Sequence, residues 1–190
     1  MKRILLALAL VFIAGSAKAT VPSFDVAFIN QIESALSTNL TAIDWKIGDN
    51  ANYTLDMGFI KGTVKMEAMK FEGNGIWLNQ DMDLTIQKML VEILMDKSTG
   101  EVLKMIVNGK EQAPPKSDLE VVETRQENIT VPAGTFQAIY LKVKDKAAKD
   151  AISELWINPK AVPLMGMLKT IQDSQMGKVT LLCTSFRRSP

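Results

Sequence analysis

Asp81 and Asp83 are the best-spaced acid pair in the chain, with Gln80 beside them. On a strand, alternation puts both carboxylates on one face. Neighbouring carboxylates can split their pKa values into an acid and a base, or ligate a hard cation. A solvated strand face is the competing reading. Asp49-Asn50 sits in a turn, but no ladder of oxygen ligands comes after it as a calcium loop requires. The chain has no histidine, which removes His-based triads, imidazole metal sites and histidine pH switching together. Phosphate-cradling glycine loops, a Gly-x-Ser-x-Gly elbow and paired-cysteine motifs are also missing from the sequence. The reading is a non-enzyme with no catalytic residues, no metal site and no cofactor; an envelope hydrolase of undefined type is the alternative.

Methionine is the most unusual residue type. Ten of the eleven methionines lie beyond residue 19, and most fall in strand-like stretches. Thioethers are flexible and polarizable, so they fill irregular space and accept varied apolar partners. A curved antiparallel sheet lined by Met, Leu and Phe can hold an acyl chain. The lining candidates are Met66, Met89, Ile93, Met105, Phe136 and Tyr140. Ordinary core filling is the competing reading. A thioether copper site needs Met66 and Met69 together, and strand spacing sends them to opposite faces. Cys183, the only cysteine, lies in an apolar strand pattern and reads as a small buried hydrophobe.

The elements that must position these residues come after an export leader. Lys2 and Arg3 precede an apolar run from Ile4 to Ala14, of signal-peptide length, and Ala17-Lys18-Ala19 gives small residues at the cleavage positions. Cleavage is expected between Ala19 and Thr20, leaving residues 20–190 as a single domain with no transmembrane anchor. Across the full chain, 22 basic and 21 acidic residues give +1. The leader takes away Lys2, Arg3 and Lys18, so the mature chain carries 19 against 21, a net of −2. That balance is no nucleic-acid footprint. The expected compartment is periplasmic or secreted.

Phe24, Phe28, Ile29, Ile32, Ala35 and Leu36 recur at helical spacing, so an amphipathic helix is expected near the mature N-terminus. From Asp44 onward the pattern changes to strands and turns. Tyr53, Leu55 and Met57 alternate with polar residues. The phase shift from Met66 and Ala68 to Met69 and Phe71 predicts a bulge or a doubly covered strand. Gly73-Asn74 and Asn108-Gly109 read as hairpin turns, and Ala113-Pro114-Pro115 as a longer crossing. Lys144 to Asp150 reads as a solvated loop or helical turn, and the tail 187–190 is expected to fray. The fold class is mainly β: an antiparallel meander of about ten strands at hairpin spacing, forming an incomplete barrel or strongly curved sheet, with the N-terminal helix packed on it.

The stretch Glu127 to Lys142 reads as strand, turn, strand, with the reversal at Pro132-Ala133-Gly134. Phe136, Ala138 and Tyr140 point one way; Ile139, Leu141 and Val143 point the other. Both sets are apolar, which predicts a central strand covered on both faces. Val131-Pro-Ala-Gly-Thr-Phe136, then Trp156-Ile-Asn-Pro159, then Val162-Pro163, Gly166 and Lys169, resemble a pattern in uncharacterised bacterial envelope proteins. Those proteins are similar in architecture to the LolA/LolB lipoprotein carriers. The resemblance implies an incomplete antiparallel barrel with a helical cover, supplied here by residues 24–36. It also implies a lipid or lipoprotein as partner. The expected function is therefore a periplasmic, non-enzymatic binding protein for a hydrophobic ligand. The alternative is an envelope protein–protein interaction module with a solid core.

Overall fold

The computed structural model of the chain describes residues 44–98, 100–113, 119–174 and 177–190. The leader, its cleavage site and the helix expected over 24–36 lie outside the described residues. Strand alternation dominates the described chain. The strands are β1 (Asn50–Asp56), β2 (Lys61–Glu72), β3 (Gly75–Leu84), β4 (Lys88–Asp96), β5 (Val102–Val107) and β6 (Lys110–Gln112). After the crossing come β7 (Leu119–Val131), β8 (Gly134–Asp145), β9 (Ala151–Ile157), β10 (Met167–Ser174) and β11 (Gly177–Arg187).

All eleven strands form one sheet in the order β6-β5-β4-β3-β2-β1-β11-β10-β9-β8-β7, with every neighbour antiparallel. The first and last strands meet in the middle. From β1 the chain meanders to one edge, crosses to the opposite edge at β7, and meanders back to meet β1 at β11. Residues 112 to 119 can span at most about 25 Å even fully extended, so the two edges must curl toward each other. Among the described residues the two edges do not pair, so the antiparallel sheet is not closed.

Local chemistry sets the turns. Asn108 and Gly109 both take positive φ (49° and 77°), which a two-residue hairpin with the right twist requires. Val131 pairs directly with Gly134, making Pro132-Ala133 the reversal. The register of β2 on β3 shifts between Ala68 and Lys70, so Met69 sits at the predicted bulge and is 42% exposed. Among the described residues, no helix is long and apolar enough to cross a membrane; this does not bear on membrane crossing by strands.

One expectation needs correction. β8 is not central: only β7 lies beyond it. On its outer face, Arg125 and Trp156 lie against Tyr140.

The tail is a second correction. The Ser189 N–H donates to Asp49 Oδ1 at 2.7 Å, while Asp49 Oδ2 accepts from the Lys46 N–H at 2.9 Å. Arg188 donates to the carbonyls of Pro159 and Val162 and lies 3.9 Å from Asp44. A carboxylate that accepts two backbone donors is a fixed anchor, and it pins the chain end instead of letting it fray.

Candidate functional site

The inner face of the sheet is built from aligned rows. Tyr53, Val64, Met82 and Met89 face one another in succession across β1 to β4. The next row runs through Ala51, Met66, Gln80, Val91 and Val107, and the next through Ala68, Leu78, Ile93 and Met105. Four candidates thus fall together: Met66 on β2, Met89 and Ile93 on β4, and Met105 on β5. Ile93 and Met105 are direct cross-strand partners. All four are buried, none more than 4% exposed. Apart from the Gln80 amide and the Tyr53 hydroxyl, the side chains of these three rows are apolar.

The segment between β9 and β10 joins this apolar layer. Val162, Leu164, Met167 and Leu168 are fully buried, and Leu164–Gly166 form a 3-10 turn against β2. The Asn158 N–H donates to the Gly166 carbonyl at 2.7 Å, closing the segment at its neck. The Asn158 side chain accepts from the Ala161 N–H and donates to the Gln137 carbonyl. Gly166 has φ +72°, and a Cβ there would sit 2.3 Å from the Pro159 nitrogen. Only glycine fits. Leu164 and Met165, at φ 54° and 75°, also occupy the left-handed region, which costs about 1–2 kcal/mol per non-glycine residue. Tyr53 reaches in from β1, its hydroxyl donating to the Met167 carbonyl at 3.3 Å. Burial, with Cys183 adding to it, pushes the Tyr53 pKa well above the tyrosine range.

Of the remaining two candidates, the structure places Tyr140 on the other face. Tyr140 pairs with Arg125 on β7 and Trp156 on β9, and Trp156 pairs with Lys169 on β10. That row continues through Leu182 to exposed Thr54, so it belongs to the outer face. Tyr140 is only 4% exposed because Arg125 lies over its ring at 3.5 Å and Trp156 meets it edge-on at 5.0 Å. Phe136, near the hairpin tip, packs against Phe186, the direct partner of Ala51, with centroids 6.0 Å apart, and both rings lie against the core.

This outer row is a connected network that the sequence did not flag. Lys169 Nζ lies 4.6 Å from the Trp156 ring centroid. Glu127 accepts from the Trp156 indole N–H and pairs with Arg125 at 2.7 Å; Arg125 also pairs with Glu123. The Trp156 and Arg125 donors hold the Glu127 carboxyl below the usual carboxylate range. Burial, then the Glu154 carboxylate that accepts from its hydroxyl at 3.1 Å, raises Tyr140. The signal was the alternation Glu123, Arg125, Glu127, but only the register reveals what each one meets.

On the opposite half of the outer face, Met69, Lys70, Trp77, Asn79, Glu92 and Ile106 line an open depression of about 280 Å³. Lys70 lies 5.6 Å from the Trp77 ring, whose N–H donates to Glu72 at 2.8 Å. Asp81 and Asp83 are exposed, and Asp83 pairs with Lys88 at 2.8 Å. Among the described residues no cluster of three or more His, Cys, Asp or Glu side chains is placed to hold a metal. Cys183 is fully buried, and burial pushes its thiol up to about 11.

No protein-family profile and no curated protein matches this chain. Among solved structures, it is similar to a Bacteroides fragilis protein described as exported and as having a YmcC-like fold. That match has 10% identity and a TM-score of 0.43, and covers 78% of this chain and 99% of the other. At that level of likeness nothing is transferred from it.

Proposed function

We infer that this protein is an exported component of a bacterial envelope that binds a hydrophobic ligand without transforming it. The ligand is an acyl chain, a lipid or the lipid-bearing end of a lipoprotein, and its seat is the inner face of β1 to β5. The observation that carries this reading is the contiguous set Met66, Met82, Met89, Ile93 and Met105 on four adjacent strands. A thioether-rich surface re-packs around different apolar shapes at small cost. The Val162–Leu168 segment already lies on that layer. Its two left-handed residues regain their backbone strain energy if the segment gives way. The export leader and the resemblance to lipoprotein carriers support the compartment and the ligand class.

The test is native mass spectrometry of protein taken from the periplasm without detergent, with organic extraction of the same sample. A bound mass that extracts as lipid is expected. A clean apo mass, unchanged after incubation with lipids and lipopeptides, overturns the reading.

One observation favours the second reading, an interaction module. Phe59 and Ile86 are 80% and 67% exposed, on neighbouring turns joined by the Thr85 N–H donating to the Lys61 carbonyl at 2.8 Å. Two large apolar tips side by side suit contact with a protein partner. Co-purification of a stoichiometric envelope protein, lost on Phe59→Ser with Ile86→Ser, distinguishes this reading from the first.

A further inference from the structure

The open depression on the outer face is built from two adjacent rows. Lys70 and Trp77 are direct partners across β2 and β3. Two residues along β3, Asn79 lines up with Glu92 on β4 and Ile106 on β5. Charged residues around the depression have partners: Lys65 with Glu67, Lys104 with Glu111, and Glu72 with the Trp77 indole. Those that line it do not. Among the described residues, the half-buried Asn79 amide and Glu92 carboxylate make no side-chain hydrogen bond or ion pair. The Lys70 ammonium meets only the Trp77 ring. Three unlike polar groups thus stand unused beside the apolar surface of Met69, Trp77 and Ile106, around a space of about 280 Å³. A few polar groups placed over apolar walls make a small-molecule site, and this volume lies just under the usual range of about 300–1,000 Å³.

We propose that this depression binds a saccharide, one ring of a glycan chain, with the ring's hydroxyls on Asn79 and Glu92 and its C–H groups on the apolar side. The polar groups ask for different things. A carboxylate only accepts hydrogen bonds, an ammonium only donates, and an amide does both. A run of adjacent hydroxyls answers all three, because each hydroxyl donates and accepts. The two oxygens of Glu92 suit two neighbouring hydroxyls, and hydrogen bonds to an ionised group are the stronger kind. The faces of a sugar ring are apolar, which matches Met69, Trp77 and Ile106. Lys70 is exposed, on a flexible stem, and lies 5.6 Å from the Trp77 centroid. Swung off the ring, it opens that face to the sugar and offers its ammonium to a hydroxyl. A bare acyl chain would leave the Asn79 and Glu92 polar groups stranded. An anion would be repelled by Glu92, and a simple cation by Lys70. The depression lies on the face opposite the proposed lipid seat, so neither reading depends on the other.

The experiment is an NMR titration of the mature chain that follows backbone amide shifts. The probes are methyl glycosides of glucose, galactose, mannose and N-acetylglucosamine, and disaccharides of the same sugars, up to about 20 mM, which reaches weak millimolar binding. At least one saccharide is expected to bind, with shifts gathered at Lys70, Trp77, Asn79, Glu92 and Ile106. Glu92→Gln and Asn79→Ala should each weaken that binding by at least about tenfold, since each removes or weakens hydrogen bonds to the sugar. Both side chains are part-exposed, and if one variant misfolds the other carries the test. Asp83→Asn, exposed on the same strand and outside the depression, should leave binding unchanged. Four results overturn the proposal: no saccharide binds, the shifts fall on the inner face, binding is indifferent to both variants, or glycine or phosphoethanolamine as zwitterionic probes bind better than every saccharide.

Discussion

The backbone N–H of Ala133 donates to the carbonyl of Cys183 at 3.1 Å. Ala133 lies in the Val131–Phe136 reversal, and Cys183 lies on β11, where β11 continues past its pairing with β10 at Lys169–Leu182. The hairpin tip supplies the donor that β10 no longer provides. This bond ties the tip of the β7–β8 hairpin to β11 across β9 and β10.

Gly166→Ala should destabilise the fold far more than Gly73→Ala. Both glycines have positive φ, but a Cβ at 166 meets Pro159 and Asn158 backbone within 2.5 Å, whereas a Cβ at 73 meets open space. The expected cost at 73 is about 1–2 kcal/mol, from backbone conformation alone. At 166 it exceeds that by at least about 2 kcal/mol, because backbone must also move. Urea unfolding of the two variants measures the difference.

Ile93→Ala should cost about 2–5 kcal/mol, as expected for a large-to-small change at a fully buried position. Phe59→Ser, at a position 80% exposed, should change stability by no more than about 0.5 kcal/mol. If Ile93→Ala proves as mild as Phe59→Ser in urea unfolding, the inner face is not the core.

Glu127 contributes a pH-dependent share of stability. Its folded pKa is lowered, so its contribution is fully present above the ordinary glutamate value of 4.5 and is lost as pH falls through the lower folded pKa. Glu127→Gln should therefore be less stable than the wild type at neutral pH. The gap should close as pH drops below the ordinary glutamate range. Paired denaturation curves across that window measure it. A gap that does not change with pH would show that Glu127 acts only through packing.

Cys183 should be inert while the protein is folded. Its thiol is buried and raised to about 11, so almost no thiolate forms at neutral pH. A colourimetric thiol reagent should label it only after denaturant is added. Its linkage to stability runs the other way from that of Glu127. The contribution is fully present below the ordinary thiol value of 9.0 and is lost as pH rises from there through about 11.

Much of the fold was legible in the residues. Alternation at Tyr53 and Leu55, the Asn108-Gly109 turn, the Pro-bearing crossing at 113–115 and the phase slip at Met69 gave the strands, a hairpin, a crossing and a bulge. These are local signals, written in side-chain period and in the φ that Gly, Asn and Pro allow. The candidate site was legible in part. Met66, Met89, Ile93 and Met105 share a face because strand period plus consecutive hairpins fixes which side each residue takes.

What sequence could not supply was register and order across the sheet. Tyr140 reads as interior because it is apolar and alternates correctly, yet it belongs to the outer side of β8. Arg125 and Trp156 bury Tyr140 there, and only the pairing of β7, β8 and β9 brings them together. β8 read as central because both its faces are apolar, but it stands next to the edge. The tail read as frayed because Asp49 and Ser189 lie far apart along the chain and meet only when β1 pairs with β11. The sequence determined by itself where each strand runs and which residues alternate. The tertiary structure decided which strands became neighbours, because that depends on contacts between distant residues whose energies no local pattern records.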